Sequence, residues 1–492
     1  MTAFADVATA PHPGAVESAR RVPGRLAWLR ERGMGATVLV SGISAGFGVA
    51  LLTATGYIAT VLRADPFFGD SETLAAVIGI LSVLLAGVAV YVGAMVTANT
   101  FATIVAGRTR RIALMRLIGA SARSQRAEVA GQGLVVGAIG AFGGLALGTV
   151  TCILVVPLLD RLVGIDSGYV VAQPALPLPA IAVALTTWAA AWVGSRRVLS
   201  VTPLQALGGS VEVSRAQVAG RRGRTVTALV LLGVGVALLA LGVVAGFVTP
   251  LGVVISFFGG LLSFTGLTLA APVIMPPLLR LTARAFGRSA PARLAAENAL
   301  RYPERSSRMA IGVVMGVALV TMFAVAAESV KVLVAVSAGG EIDASFAGML
   351  DSFAAVMMAL VGVSAVIAAV GLVNLLTIGV VQRRRELGLL RALGLSGGQV
   401  RRMVLLEAAH VTVTALAFGL LLGVAYGWVG AQSLLGSVRI PPAWSAPTFI
   451  PPALPLLPVL VVVIATAVLT LVAAVVPTRL ATRVAPVAAL AD

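Results

Sequence analysis

The sequence predicts an all-α, polytopic membrane protein of about ten transmembrane helices, and three observations support this. Of its 492 residues, 59% are hydrophobic and only 11% charged, with a mean hydropathy of +1.02. Soluble domains carry about 25% charged residues. Apolar runs long enough to cross a hydrocarbon core of roughly 30 Å recur ten times. When those runs are threaded alternately through a membrane, the basic residues between them gather on one side.

Taken in order, the segment Met1–Gly33 is polar and carries Arg20, Arg21, Arg25, Arg30 and Arg32. It is too charged for a cleaved leader, and 25–32 is expected to form a short interfacial helix. The ten runs are Met34–Leu62, Leu74–Ala106, Ala130–Leu159, Leu176–Gly194, Thr225–Val248, Leu251–Leu279, Met309–Val334, Phe346–Val381, Met403–Leu435 and Pro452–Val476. A span needs about 20 helical residues. The second and eighth runs exceed that and are expected to tilt or to continue past the membrane. The loops on the outer side are short, and even 160–173 and 435–450 leave no room for a domain.

With the N-terminus inside, 32 of the 36 basic residues lie on the inner side, leaving only Arg63, Arg161, Lys331 and Arg439 outside. That asymmetry predicts a plasma-membrane protein with both termini cytoplasmic. The net charge of +17 does not indicate a nucleic-acid partner, because the charge sits in loops between spans with no aromatic platform beside it. One cysteine, Cys152, excludes an intrachain disulfide framework.

Two stretches repeat. Residues 382–407 read QRRRELGLLRALGLSGGQVRRMVLLE, and residues 107–133 read GRTRRIALMRLIGASARSQRAEVAGQG. A shift of 275 positions lays Arg116 on Arg391, Gly119 on Gly394, Ser121 on Ser396 and Arg126 on Arg401, and it also lays Asn99 on Asn374. Each stretch mixes arginines with leucines, as a helix at a membrane surface does. A solvated basic loop would not reproduce the asparagine and the glycine as well, so the pair reads as an internal duplication.

The units also begin with similar basic segments, RLAWLRERG from Arg25 and RLAAENALRYPERSSR from Arg293, and close on similar basic-to-proline tails. The expected organisation is therefore a first four-span unit with its N-terminal cytoplasmic segment at 1–210, a central two-span hairpin at 211–290 and a second four-span unit at 291–492. Equal span numbers per unit make the repeat parallel.

Few other residues suggest chemistry. Glu407 and His410 lie three apart on one helix face, but further metal ligands are not visible. Hydrogen bonding, with Glu407 toward Arg401 and Arg402, is the expected role. Glu328, Lys331 and Asp351 near the outer ends are expected to be interface charges or to pair with one another. Asn99 and Asn374 are expected to hydrogen-bond between helices, making an inter-repeat contact. Gly131, Gly133, Gly137, Gly140, Gly143 and Gly144 are expected to form a close-packing face. No catalytic residue, cofactor or metal is expected. The chain has no Gly-x-x-x-x-Gly-Lys-Ser/Thr phosphate loop, and its single lysine, Lys331, follows Val330.

The second basic stretch, followed by Gly419-Leu420-Leu421-Leu422-Gly423, resembles the FtsX/MacB-type (type VII) permeases of ABC transporters, and the first copy shows the same pattern more weakly. The resemblance implies a membrane subunit driven by separately encoded ABC ATPase subunits, two per complex, that moves or extracts an amphipathic or lipidic substrate such as an antimicrobial peptide, drug or lipid, with export favoured and membrane lipid as surroundings. The basic stretches would be coupling helices contacting the ATPase through Arg108, Arg110, Leu114, Arg116, Leu117 and Gly119, and through Arg383, Arg385, Glu386, Leu390, Arg391, Leu393 and Gly394. The copies depart from each other, since Glu386 is matched by Arg111 and Glu407 by Gln132. Alternative readings are a non-transporting mechanotransmission permease acting on a cell-envelope enzyme or sensor, and an ion-coupled secondary transporter. The scarcity of deep acids and histidines disfavours the latter.

Overall fold

The computed structural model describes residues 34–64, helical residues within 79–101, 109–163, 167–196, 222–284, 289–301, 303–337, 389, 391, 393–438 and 449–483. These form α1 (Met34–Ala64), α2 (Thr109–Leu117), α3 (Ala122–Val163), α4 (Pro177–Gly194), α5 (Arg222–Gly246), α6 (Gly252–Ala283), α7 (Ala290–Arg301), α8 (Pro303–Ser337), α9 (Gly397–Leu435) and α10 (Leu456–Arg483). Among the described residues, seven helices are long and apolar enough to span a membrane, and α10 adds a shorter apolar stretch, Leu456–Leu471. The protein is an all-α, multi-pass membrane protein. The eighth run, 346–381, and the N-terminal segment lie outside the described residues, as do Asn99 and Asn374.

Lipid offers the backbone no hydrogen bonds, so helices are the form these apolar runs take. They associate by close packing rather than by exclusion from water. In the first unit α1 and α3 run parallel. A Cβ on Gly144 would strike the carbonyl of Gly42 and lie 2.9 Å from the nitrogen of Gly46, and one on Gly148 would lie 3.0 Å from Gly46 Cα. In the second unit α8 and α9 repeat this geometry. Gly419 faces Val317 at 2.9 Å and Gly423 faces Thr321 at 2.5 Å, each measured from the position a Cβ would take. The repeat shift carries Gly42, Gly46, Gly144 and Gly148 onto Val317, Thr321, Gly419 and Gly423. At these four positions the second unit keeps glycine on one helix only.

The expected glycine face is partly corrected. Gly133 packs on Ala191, Gly137 on Thr187 and Gly140 on Val38 and Ser41, but Gly131 and Gly143 meet nothing within 4 Å. The third span reads as glycine-rich all round, yet only one side of it touches α1 and α4. The other two glycines fall on its exposed side.

Helices α5 and α6 form an antiparallel hairpin whose backbones meet at Gly235 against Ser263, Gly242 against Ser256 and Gly246 against Gly252. Helix α6 also ties the rest of the bundle together. Tyr91 of the second span pairs with Thr265 at 2.9 Å, and Tyr426 of α9 pairs with Ser263 at 2.9 Å. His410 Nε2 lies 2.8 Å from the carbonyl of Leu279 and 3.0 Å from Thr282 Oγ1, and Thr282 meets Thr414 at 2.7 Å. The largest apolar cluster runs through α6, α8 and α9, with Met275, Leu279, Val314 and Ala415 at its centre. At the end of α9, Gln432 Oε1 accepts from the Ile450 amide at 2.7 Å while Trp428 Nε1 donates to the Ile450 carbonyl at 2.9 Å, fixing the entry to α10.

The close approach predicts a contrast between adjacent glycines. Gly144→Leu is expected to cost about 2–3 kcal/mol by overpacking α1 against α3. Gly143→Leu should stay within about 0.5 kcal/mol. Thermal unfolding of the purified protein in detergent measures both.

Candidate coupling elbows

The two basic stretches fold into elbows of the same construction. In the first, the amide of Ile118 donates to the Leu114 carbonyl at 3.2 Å and that of Gly119 to Arg116 at 3.2 Å. In the second, Leu393 donates to Leu389 at 2.9 Å and Gly394 to Arg391 at 3.1 Å. These are the same bonds carried along by the repeat shift. Both glycines turn the chain with positive φ, 105° at Gly119 and 102° at Gly394, a region that a side chain at Cβ disfavours. Each helix therefore ends where glycine permits the turn.

The next helix starts the same way in both copies. Ser121 Oγ accepts from the Ser124 amide at 3.0 Å, and Ser396 Oγ accepts from the Gln399 amide at 3.2 Å. Only the second copy closes the reciprocal bond, in which the Ser396 amide donates to Gln399 Oε1 at 2.9 Å. This completes a capping box. Ser124 stands at the corresponding position and is too short to reach back.

Each elbow has a buried and an open side. In the first, Ile112 and Ala113 of α2 pack on Met34, Phe101, Val129 and Ala191. Leu114, Leu117 and Ile118 remain exposed, Ile118 at 78%. In the second, Leu389 and Leu393 are exposed, Leu393 at 72%. The repeat shift puts Leu114 on Leu389 and Ile118 on Leu393, so the matched apolar pair in each copy is spaced i, i+4 on one helical face. Arg116 and Arg391 are partly exposed beside these pairs. Of the sequence-predicted positions, Leu114, Arg116, Leu117, Gly119, Arg391, Leu393 and Gly394 are thus placed at the elbows. Arg110 lies within α2, whereas Arg108, Arg383, Arg385, Glu386 and Leu390 lie outside the described residues. Sequence reasoning missed Ile118 and Leu389, although the repeat shift, applied position by position, points to both.

The elbows are braced differently. In the first, Arg126 donates through Nε and Nη2 to the carbonyl of Trp192, at 3.3 and 3.0 Å, and its guanidinium sits 3.8 Å from the indole centroid. A cation over an aromatic face at a helix C-terminus gains from both the ring and the carbonyl ends. The repeat shift carries Trp192 onto Ala467, so the stacking cannot recur. In its place, the amphipathic helix α7 lies against the base of α9, with Ala295 packed on Val400, Met403 and Val404 and with Leu395 at the edge. Ser306 Oγ donates to the Ala299 carbonyl at 2.7 Å and ties α7 to α8. The sequence marked this stretch only as a basic lead-in. Its alanines at 292, 295 and 299, all buried, are the helical signal.

Of the remaining charged candidates, Glu328 and Lys331 pair at 3.7 Å, and Asp351 lies outside the described residues. His410 joins α9 to α6 as described above, and Glu407 is buried one turn before it. Removing the special turn chemistry should loosen the elbows. Gly394→Ala is expected to cost about 1–2 kcal/mol through its φ, and Ser396→Ala about 1 kcal/mol through the lost cap. Hydrogen exchange should then speed up at the amides of 393–400 while the middle of α9 stays protected.

Comparison with known proteins agrees with this duplicated construction. The FtsX-like permease C-terminal family matches residues 83–203 and again 358–486, two segments that begin one repeat shift apart and together cover just over half of the chain. A shorter likeness joins 66 residues, 13% of this chain, to 15% of the ABC transporter permease YtrF of Bacillus subtilis (strain 168), at 33% identity. This chain therefore aligns with well under two thirds of that relative's length. Two family matches at the same spacing as the two elbows show that the chain belongs to the FtsX-like permease family and carries its C-terminal region twice.

Proposed function

We propose that the chain is the membrane subunit of an ABC transporter and that its two elbows are the sites at which separately encoded ATPase subunits, one per elbow, push on it. The observation that carries this reading is the matched pair of exposed apolar side chains, Leu114 with Ile118 and Leu389 with Leu393, set among arginines on rigidly capped turns. Large exposed apolar groups at a helix end beyond the apolar spans need a partner surface. The relative YtrF is named as an ABC transporter permease, which supports the same reading.

Arg108, Arg110, Arg116, Arg383, Arg385, Glu386, Leu390 and Arg391 would supply the charged and apolar remainder of these contacts. The elbows would face the cytoplasm, as would both termini. Residues 1–210 and 291–492 would act as the two moving units about the hairpin 211–290, with Asn99 and Asn374 contacting across them. Each elbow opens directly into a long helix. At 1.5 Å per residue, α3 with 42 residues and α9 with 39 are each about 60 Å long. That is about twice the hydrocarbon thickness, so a push on the elbow travels along one continuous rod to the opposite leaflet. The cargo would be amphipathic or lipidic and exported, because the described spans carry few charged groups that would line a hydrophilic path.

The test is co-purification with the ATPase encoded beside this chain. Ile118→Asp and Leu393→Asp each place a charge in the proposed contact without touching the core. Each is expected to weaken binding at least about tenfold, a loss of about 1.4 kcal/mol, and to lower ATP turnover in parallel. Full binding and turnover in both variants would remove the elbows from the interface.

A further inference from the structure

The two elbows share a turn but not a surface. Two exposed side chains flank the Gly119 turn, Leu117 at the end of α2 and Arg123 in the first turn of α3. The repeat shift carries them onto Ala392 and Gly398. The second elbow therefore lacks both groups. The reverse exchange, Ala120 for Leu395, does not make up the difference, because Leu395 packs into the cluster of Ala295, Val400 and Met403 beside α7. Met115 is matched by Leu390, a residue of similar size.

Charge departs in the same direction. Residues 107–126 hold six arginines and no acid, whereas the matched residues 382–401 hold five arginines and Glu386. Arg123 is also poorly placed for its own helix, since a cation in the first turn opposes the positive end of the helix dipole. Leu117 lies outside the buried cluster that Ile112 and Ala113 join. Neither side chain stabilises the elbow that carries it, and a partner surface accounts for both.

We infer that the first elbow is the tighter of two unequal docks, and that the ATPase face it takes has an apolar floor and an acidic rim. This rests on the transporter reading above and adds an order to it, with one ATPase subunit held at the first elbow and the other bound more loosely at the second. Burying the extra carbons of a leucine in place of an alanine changes affinity by on the order of tenfold. The surplus positive charge acts over about 10 Å at 0.1 M salt. It speeds encounter with an acidic surface and fades as salt rises.

The experiment titrates the full chain in nanodiscs with the ATPase encoded beside it. No nucleotide is added, so no ATP bridges the two subunits, and calorimetry reads the affinities. Two binding events are expected, the first at least about tenfold tighter than the second. Ile118→Asp should remove the tight event and Leu393→Asp the weak one. Leu117→Ala combined with Arg123→Gly should loosen the tight event to the strength of the weak one. The reciprocal pair, Ala392→Leu with Gly398→Arg, should tighten the weak event about tenfold. A Cβ on Gly398 has room, meeting only Ser396 Oγ at 3.9 Å. Raising salt toward 1 M, where screening sets in at about 3 Å, should narrow the gap between the two events. Thermal unfolding checks that the variants are intact. Two indistinguishable events, or loss of the tight one in Leu393→Asp rather than in Ile118→Asp, would overturn the inequality and leave the transporter reading standing. A wild-type chain that binds no ATPase at either elbow would sink both.

Discussion

The approach of two parallel helices until backbone touches backbone is the constraint on which the rest of the structure depends. In lipid there is no water to expel, so helices hold together through the closeness of their packing. Glycines at 42, 46, 144 and 148 allow α1 and α3 to meet in this way, and Gly419 and Gly423 allow the same for α8 and α9. Because α3 and α9 are also the helices that start at the elbows, this contact fixes each elbow in register with the first helix of its own unit. A looser packing would let the long helix slide or rotate. The positive-φ glycines and serine caps add the complementary requirement. They end one helix and begin the next while pairing several of the backbone groups that helix ends leave open, which stiffens the turn.

The duplication is strict in backbone and loose in side chains. The hydrogen bonds that shape the elbows recur at a fixed displacement, and so do the glycines that face the first helix. What surrounds them does not recur. The first elbow leans on Arg126 stacked over Trp192, whereas the second leans on α7 and closes a full capping box. The first unit has glycine on both sides of its tightest contact, while the second offers Val317 and Thr321 on one side. Closer backbones in the first unit and bulkier side chains in the second give the two long helices different mechanical coupling to their neighbours. The same fold used twice is therefore asymmetric, and the sequence adds to this, with Glu386 matched by Arg111 at the repeat shift.

Much of this was legible in the sequence because membrane physics leaves few choices. The described helices α1, α4, α5, α6 and α9 begin or end within a few residues of the apolar runs that predicted them, since a run of that length has no other way to satisfy its backbone. The elbows were legible because the repeat shift aligned Gly119 with Gly394 and Ser121 with Ser396, residue types whose roles at a turn and a cap are nearly forced. Side-chain facing was harder to read. Gly131 and Gly143 were indistinguishable from Gly133 and Gly144 in a helix rich in glycine, because composition does not say where a neighbour lies. Helix α7 went unrecognised as an element because its buried face is alanine, which adds little to an apolar count. The role of α6 as the tie between units rests on hydroxyl pairs, Tyr91 with Thr265 and Tyr426 with Ser263. Single Ser, Thr and Tyr residues in apolar runs give no hint of their partners.

That tie also bears on how the two units meet on one helix. Helix α6 contains Pro272, Pro276 and Pro277, and each removes one backbone donor and loosens the helix locally. On the elbow side of these prolines, His410 and Thr414 of α9 hold α6 through Leu279 and Thr282. On the far side, Tyr426 of the same α9 holds Ser263, and Tyr91 of the second span holds Thr265. Among these hydrogen bonds, helix α9 therefore grips α6 above and below its weakest stretch, while the first unit grips it only above. Under the transporter reading proposed above, a displacement of α9 along its axis would load both grips and flex α6 at the prolines, whereas a displacement of the second span alone would load only the upper one.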